Sequence, residues 1–255
     1  ELIILDDAST DGSQELLLEY KNHPKVSHCI MNTENSGSPF LQWKKGLKLA
    51  KGEYVWIAES DDSCDFNFLK SSLKKMEEEN VSICVAKTLK YAKGKTFTEI
   101  LHPIFRNHTK DVLNKYNLNY CPILNVSACI FQNPFLTGNV NYEFIKYRLI
   151  GDRVFYYEFF KNTSVIKNSE VHSYFRKETE SVSALKYKDI KYFKTYFKEH
   201  VEFIKYVDST QSIDKSIFNS YINKFFARVR DRLTRKQKLS LTYLSIFLNY
   251  KFNLK

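Results

Sequence analysis

No stretch of this 255-residue sequence approaches the roughly 18 consecutive apolar residues of a membrane-spanning helix, so none is expected. The opening residues carry no basic region followed by an apolar run, and no secretory signal is expected. Cysteine is scarce and odd in number: Cys29, Cys64, Cys84, Cys121 and Cys129 fall at no metal-ligand spacing. Most sit in apolar, strand-like stretches, which predicts free buried thiols in a reducing compartment rather than a disulfide framework. The N-x-S/T triplets opening at Asn107, Asn125 and Asn162 are then read as chance. No nucleic-acid recognition motif accompanies the basic residues, so no specific nucleic acid is expected as a partner.

The composition, 43% hydrophobic and 27% charged, is that of an ordinary globular protein, long enough for one α/β domain with an appendage. The net charge of +10 is unevenly placed. Residues 186–255 hold 16 Lys and Arg against 6 Asp and Glu, which accounts for the whole excess. Whatever the basicity does, it belongs to the last quarter of the chain.

Three polar turns follow strand-like stretches. Glu1 to Leu5 is a strand, and Asp6-Asp7-Ala8-Ser9-Thr10-Asp11-Gly12-Ser13 leads into a helical pattern from Gln14 to Lys21, with Asp11 or Ser13 as N-cap. Val26 to Met31 is a second strand. The loop Asn32 to Pro39 ends with Ser38 as N-cap and Pro39 at the first position of a helix reaching Ala50. Gly52 offers a left-handed turn, and Glu53 to Ala58 is a strand running into Glu59-Ser60-Asp61-Asp62. Carboxylates at the carboxyl ends of strands in an open α/β sheet sit where ligands bind, and clustered ones call for a compensating cation or hydrogen bonds. Solvated capping turns, with Asp65 as N-cap of the helix from Phe66 to Glu79, would read the same way. Further along, Val81 to Tyr91 and Asn125 to Phe131 are strands, Ala92 to Lys95 a hairpin turn, and 102–124 irregular. Asp152 opens a helix running from Arg153 to Phe160. The alternation of strands and helices predicts a mostly parallel, doubly wound sheet.

The string IILDDASTDGS, then NSG ahead of a helix, then AKGEYVWIAESDD, resembles the nucleotide-binding half of family 2 glycosyltransferases. The resemblance is close over residues 1–65 and looser to about 184. It implies a GT-A (Rossmann-like) fold, a mostly parallel central sheet flanked by helices with a C-terminal helical appendage. The catalytic domain would span 1–184 and a basic, aromatic-rich helical region 185–255. It implies an inverting transfer from a nucleotide diphosphate sugar, a UDP-sugar, to a saccharide or lipid-linked acceptor in cell-surface polysaccharide biosynthesis.

By position, the resemblance places Asp6, Asp7 and Ser9 at the nucleotide, with Asp7 on the base edge, and adds Asn35 and Gly37 from the following loop. Glu59-Ser60-Asp61 occupies the D-x-D motif. Asp61 would be the ligand of Mg²⁺ or Mn²⁺, Glu59 would reach through water, and Asp62 would touch the sugar or sit behind the metal. Asp152 would be the catalytic base, with Gly151 where relatives often have an acid, although a plain helix cap explains Asp152 equally well. Arg176 would approach the diphosphate and His172 would lie near the metal, or both would be surface residues. Relatives begin with a further strand that belongs in the sheet interior. Its absence here leads to the expectation of weak or no turnover.

From Tyr187 onward the pattern is helical. Ile213, Ile217, Tyr221, Phe225 and Val229, with Phe218, Ile222 and Phe226 alongside, form a wide apolar stripe continued by the basic stretch Arg228 to Lys238. Two readings stay open: packing with a solvated basic face, or contact of 186–255 with an anionic membrane surface. A cytoplasmic location is expected on either reading, and the second adds a peripheral position on the inner face of the cell membrane. The rivals to an enzyme are a degenerate, non-catalytic nucleotide-sugar-binding or scaffold protein and a basic-tailed membrane-associated interaction protein.

Overall fold

The computed structural model describes residues 1–91, 97–105, 110–113, 118–137, 140–161, 163–176 and 189–255. The chain divides into two compact units, Glu1–Arg176 and Lys177–Lys255. The boundary expected after residue 184, and the hairpin turn expected at 92–95, fall outside the described residues.

The first unit alternates strands and helices from its start: β1 (Leu2–Asp6), α1 (Ser13–Glu19), β2 (Val26–Met31), α2 (Pro39–Leu49), β3 (Tyr54–Trp56), β4 (Ser63–Cys64), α3 (Phe68–Glu79) and β5 (Ile83–Tyr91). Then come β6 (Thr98–Ile100), β7 (Lys110–Leu113), β8 (Cys129–Gln132), α4 (Gly151–Phe160) and β9 (Thr163–Arg176). β1 and β2 pair in parallel as a sheet of their own, and the other seven strands form a second sheet with the path β3-β8-β5-β9-β4.

Within that second sheet the strand directions differ from the mostly parallel expectation. β5 and β9 are parallel, whereas β8 is antiparallel to both β3 and β5, and β4, β6 and β7 are antiparallel to their neighbours. β3, β5 and β9 therefore share one direction, with β8 reversed between two of them. The physical reason lies in the connection. Between β5 and β8 the described residues hold only single 3₁₀ turns and short strands, without the α-helix that usually carries a parallel crossover.

Alternate residues of a strand face opposite sides of its sheet, and β8 shows both sides packed. Ile130 joins Phe68 and Met76 of α3 in one cluster, while Phe131 meets Phe155 and Phe160 of α4 at centroid distances of 5.6 and 5.2 Å. Each such aromatic contributes about 2 kcal/mol of burial, so helices on both faces hold the strand ends that carry the polar turns.

Several local expectations are corrected. The N-cap of α1 is Gly12, at φ 85, and Asp11 instead binds the Ser13 backbone N–H and hydroxyl through Oδ1. α2 stops where Ala50 turns extended at φ −66, ψ 125, and Gly52 is not among the residues with positive φ. α3 starts at Phe68 with Asn67 as N-cap, since the Asp65 carboxylate is engaged elsewhere.

The described residues of the second unit are helical: α5 (Ile190–Gln211), α6 (Lys215–Arg230), α7 (Arg235–Lys238) and α8 (Leu241–Phe252). Tyr196 and Phe197 of α5 meet Phe225 and Phe226 of α6, while Phe203 meets Tyr221. Contacts that descend α6 as they ascend α5 make the pair antiparallel. Phe218, Tyr221, Ile222, Phe225, Phe226 and Val229 are all buried, so the stripe recognised in the sequence is packing surface. The reading of that stripe as a lipid-facing surface is set aside.

Candidate active site

Asp6 ends β1 and is buried, yet its carboxylate is well supplied with donors. The Ser9 backbone N–H donates at 3.0 Å and Gln14 Nε2 at 2.6 Å, both to Oδ2. Burial pushes the carboxyl up, and these bonds outweigh it and leave its pKa below the ordinary value. Ala8, at φ 62, makes the sharp bend that lets the Ser9 N–H turn back.

Asp7 is clamped by the loop before α2. Its Oδ1 accepts from Asn32 Nδ2 (2.8 Å), the Ser36 N–H (2.9 Å) and Gln42 Nε2 (2.8 Å), and its Oδ2 from the Ser36 hydroxyl (2.7 Å). Asn35 bridges the same two segments, donating to the Asp7 carbonyl at 2.8 Å and accepting from the Gly37 N–H at 2.8 Å. That last bond needs the left-handed φ of 73 at Gly37, where glycine is unstrained. Here too hydrogen bonds overcome the upward push of burial and hold the carboxyl low. Beside this clamp an open cavity of about 330 Å³ is lined by Asn32, Ser36, Gln42, Lys44, Lys45 and Lys48.

The turn after β3 carries three carboxylates that point to three different places. Glu59 Oε1 accepts from the Trp43 indole N–H at 2.9 Å, and the Glu59 N–H donates to the Ser127 hydroxyl at 3.0 Å. Asp62 Oδ1 accepts from the Arg176 N–H at 3.3 Å, which brings the end of β9 to this turn. Asp61 is exposed. Burial first, and repulsion from Asp61 second, raise the pKa values of Glu59 and Asp62. Among the described residues no group of three His, Cys, Asp or Glu side chains converges as a metal cage.

His172 is drawn to Asp65: its N–H and ring Nδ1 lie 2.8 and 3.0 Å from Asp65 Oδ2, and the Tyr174 hydroxyl donates to Oδ1 at 2.8 Å. This second cluster fixes β9 to the segment after the acidic turn.

Asp152 stands in the first turn of α4. Its Oδ1 accepts from the Arg153 N–H at 2.8 Å, and the Cys121 thiol lies 3.4 Å from Oδ2. Burial raises its pKa against those bonds. The neighbouring Gly151 has a steric cause, since a Cβ there would sit 2.4 Å from the Phe40 ring. Any larger side chain at this position would have to displace that ring.

One helix ties these places together. In α2, Phe40 packs on Gly151, Gln42 holds Asp7 and Trp43 holds Glu59, while Trp43 also meets Phe155 of α4 edge-on at 5.6 Å. Sequence reading singled out none of these α2 residues, nor Ser127 and Cys121. Gln42 and Trp43 follow the NSG loop, a local hint. Ser127 and Cys121 act across 68 and 31 positions and left no local signal.

Helices on both faces of a sheet whose strand ends carry acidic turns, with a carboxylate at a neighbouring helix start, make an α/β architecture, and its structural match assigns it to the GT-A class. The chain belongs to glycosyl transferase family 2, whose profile matches residues 1–133, more than half of its length. It is 42% identical over 62 residues (24% of this chain, 10% of the relative) to a poly(ribitol-phosphate) beta-glucosyltransferase of Bacillus spizizenii. It is 30% identical over 94 residues (36% of this chain, 30% of the relative) to the glycosyltransferase GlyG of Streptococcus pneumoniae. The chain spans less than a third of the curated relatives it matches. Among solved structures, Staphylococcus aureus TarS 1–349 in complex with UDP-GlcNAc superimposes with a TM-score of 0.67 at 17% identity, covering 100% of this chain and 72% of that one.

Proposed function

We propose that the chain carries the donor site and the base of an inverting, metal-dependent glycosyltransferase. It would move a sugar from a UDP-sugar to a saccharide or lipid-linked acceptor in cell-surface polysaccharide biosynthesis, on the cytoplasmic side of the membrane. The observation that carries this reading is the attachment of the Asp7 turn, the Glu59 turn and the start of α4 to the single helix α2. Three separated carboxylate sites are thereby held in one rigid frame, as a two-substrate displacement requires. The relatives named for poly(ribitol-phosphate) and the TarS complex with a UDP-sugar support the substrate class.

In this reading Asp6, Asp7 and Ser9 with Asn35 and Gly37 form the nucleotide side, and Arg176 stands beside Asp62 where the diphosphate would lie. The acceptor oxygen attacks the anomeric carbon from the face opposite the diphosphate. The bond to the diphosphate oxygen breaks, its electron pair leaving with the phosphate, and Asp152 takes the hydroxyl proton. A carboxylate whose pKa is raised by burial is the stronger base for that step. Exposed Asp61, with Glu59 and Asp62 nearby, would hold Mg²⁺ or Mn²⁺. One or two carboxylates suit such an ion when substrate phosphates and water complete its shell. When bound, it neutralises charge on the leaving diphosphate.

Titration of UDP into the chain with and without Mn²⁺, for wild type and Asp61→Ala, tests the donor site. Metal-dependent binding that disappears in the variant is expected, and equal binding by both proteins would refute Asp61 as the ligand. The pairing pattern favours a second reading of the chain on its own, a binder with weak or no turnover: β1 pairs only with β2 and β3 only with β8 among the described residues. Rapid turnover by these 255 residues would remove it.

A further inference from the structure

α8 is apolar on two opposite sides, and only one of them is packed. Ile246 is buried, and Phe226 of α6 stacks on Tyr250 at 4.0 Å and also meets Tyr243 and Phe247. On the other side, Leu241, Leu244, Leu248 and Phe252 recur at steps of three and four, which puts them on one helical face. They are 85%, 49%, 42% and 81% exposed, and Leu239 at the preceding turn extends the row at 89%. A surface helix normally turns charge outward here, yet Lys251 is the only charged residue of α8. A row of exposed apolar side chains of this kind marks an interaction surface.

The charge around it selects the partner. From Arg228 to Lys255 the chain carries eight Lys and Arg and one acid, Asp231. Arg230, Arg232, Arg235 and Lys236 are exposed, the last two on α7, directly before the leucine row. A second copy seated face to face would oppose these charges with their own kind, which disfavours pairing. A nucleic acid would use the charge and leave the leucines in water. An anionic bilayer surface accommodates both, taking the apolar row at the acyl boundary and the cations at the headgroups.

We propose that α7 and α8 form an interfacial docking surface for anionic lipid. Leu239, Leu241, Leu244, Leu248 and Phe252 enter the headgroup–acyl boundary, and Arg235, Lys236, Lys238 and Lys251 lie among the headgroups. This rests on the surface alone and stands whether or not the transfer reaction is as described above.

The test is co-sedimentation of the full chain with vesicles of phosphatidylcholine alone or mixed with phosphatidylglycerol, at low and high salt. Binding is expected to the mixed vesicles only, and to weaken with salt. At about fivefold per neutralised charge, R235Q/K236Q/K238Q should weaken it about 100-fold. L244S/L248S should weaken it at least about tenfold through lost apolar insertion. All five positions are at least partly exposed, and circular dichroism checks that both variants stay folded. The proposal is overturned by absent binding, by binding that neither variant changes, or by a concentration-dependent dimer that L244S/L248S dissolves. The last result would assign the face to self-association.

Discussion

At the scale of single residues, Asp6 and Asp152 show one side chain driven in opposite directions by its surroundings. Both are sheltered from water, but Asp6 gathers bonds from Ser9 and Gln14 while Asp152 has the Arg153 N–H and a thiol, a weak donor. The first carboxyl is lowered and the second raised. Asp152→Asn should cut the transfer rate by about 10²–10⁴-fold while leaving UDP affinity intact. A comparable loss of UDP binding would mean that Asp152 organises the site and takes no proton. The Cys121 bond lowers the Asp152 pKa, so Cys121→Ala should move the acidic limb of the pH–rate profile to higher pH, and Cys121→Ser should restore it. Carbon NMR titration of the Asp152 carboxyl checks the same shift without turnover, and an unmoved titration would exclude the contact as a determinant.

At the scale of elements, α2 is the part on which the candidate site depends, and its contact with α4 is tight. Adding a methyl at Gly151 forces the Phe40 ring to move, because no real Cβ sits 2.4 Å from a ring carbon. Gly151→Ala should cost about 1–3 kcal/mol, the usual range for overpacking. Phe40→Leu in the same chain should recover part of that loss, so a double-mutant cycle by urea denaturation reads the coupling directly. Additive costs would show that the two helices yield independently. Much of this architecture was legible in the sequence. β2 and the start of α2 fall where periodicity and the Ser38-Pro39 pair put them, because those signals are local. The acidic turns were legible too, since two adjacent aspartates at a strand end exceed what capping needs. The reversed strand β8 was not, because direction depends on a connection with no helical crossover among its described residues. The stripe on α6 was found but its environment was not: spacing gives a face, and only the fold says what covers it. The exposed row on α8 stayed hidden because that helix is apolar on both sides and shows little periodic contrast.

At the scale of the whole molecule, the carboxylates sort by how well they are supplied with donors. Glu59, Asp62 and Asp152, whose pKa values are raised, all stand at the candidate site. Those lowered include Asp6, Asp7 and Asp65, each held by several donors. The two sets act on stability with opposite signs. For the lowered set, the folded pKa lies below the unfolded one, so ionisation stabilises above the unfolded value and the benefit fades as pH falls through the folded value. For the raised set, the folded pKa lies above the unfolded one. The protonated form then favours the fold at low pH, and that advantage is lost as pH rises through the folded value. At neutral pH, Glu59→Gln and Asp152→Asn should therefore each stabilise by about 1 kcal/mol, on the order of 2–4 °C in Tm, because neither amide ionises. Glu59→Gln also keeps an oxygen for the Trp43 N–H. Asp65→Asn should lower Tm by a similar amount, since one amide cannot accept from His172 and Tyr174 as a carboxylate does. Thermal melts at pH 7 and pH 4 decide the matter. The gain from the first two variants should shrink at the lower pH, where the wild-type acids approach protonation. The loss from Asp65→Asn should largely persist, because pH 4 still lies above that carboxyl's lowered folded value. A gain that persists unchanged at pH 4 would show that these substitutions act through packing, and the electrostatic division between the raised and the lowered carboxylates would not hold.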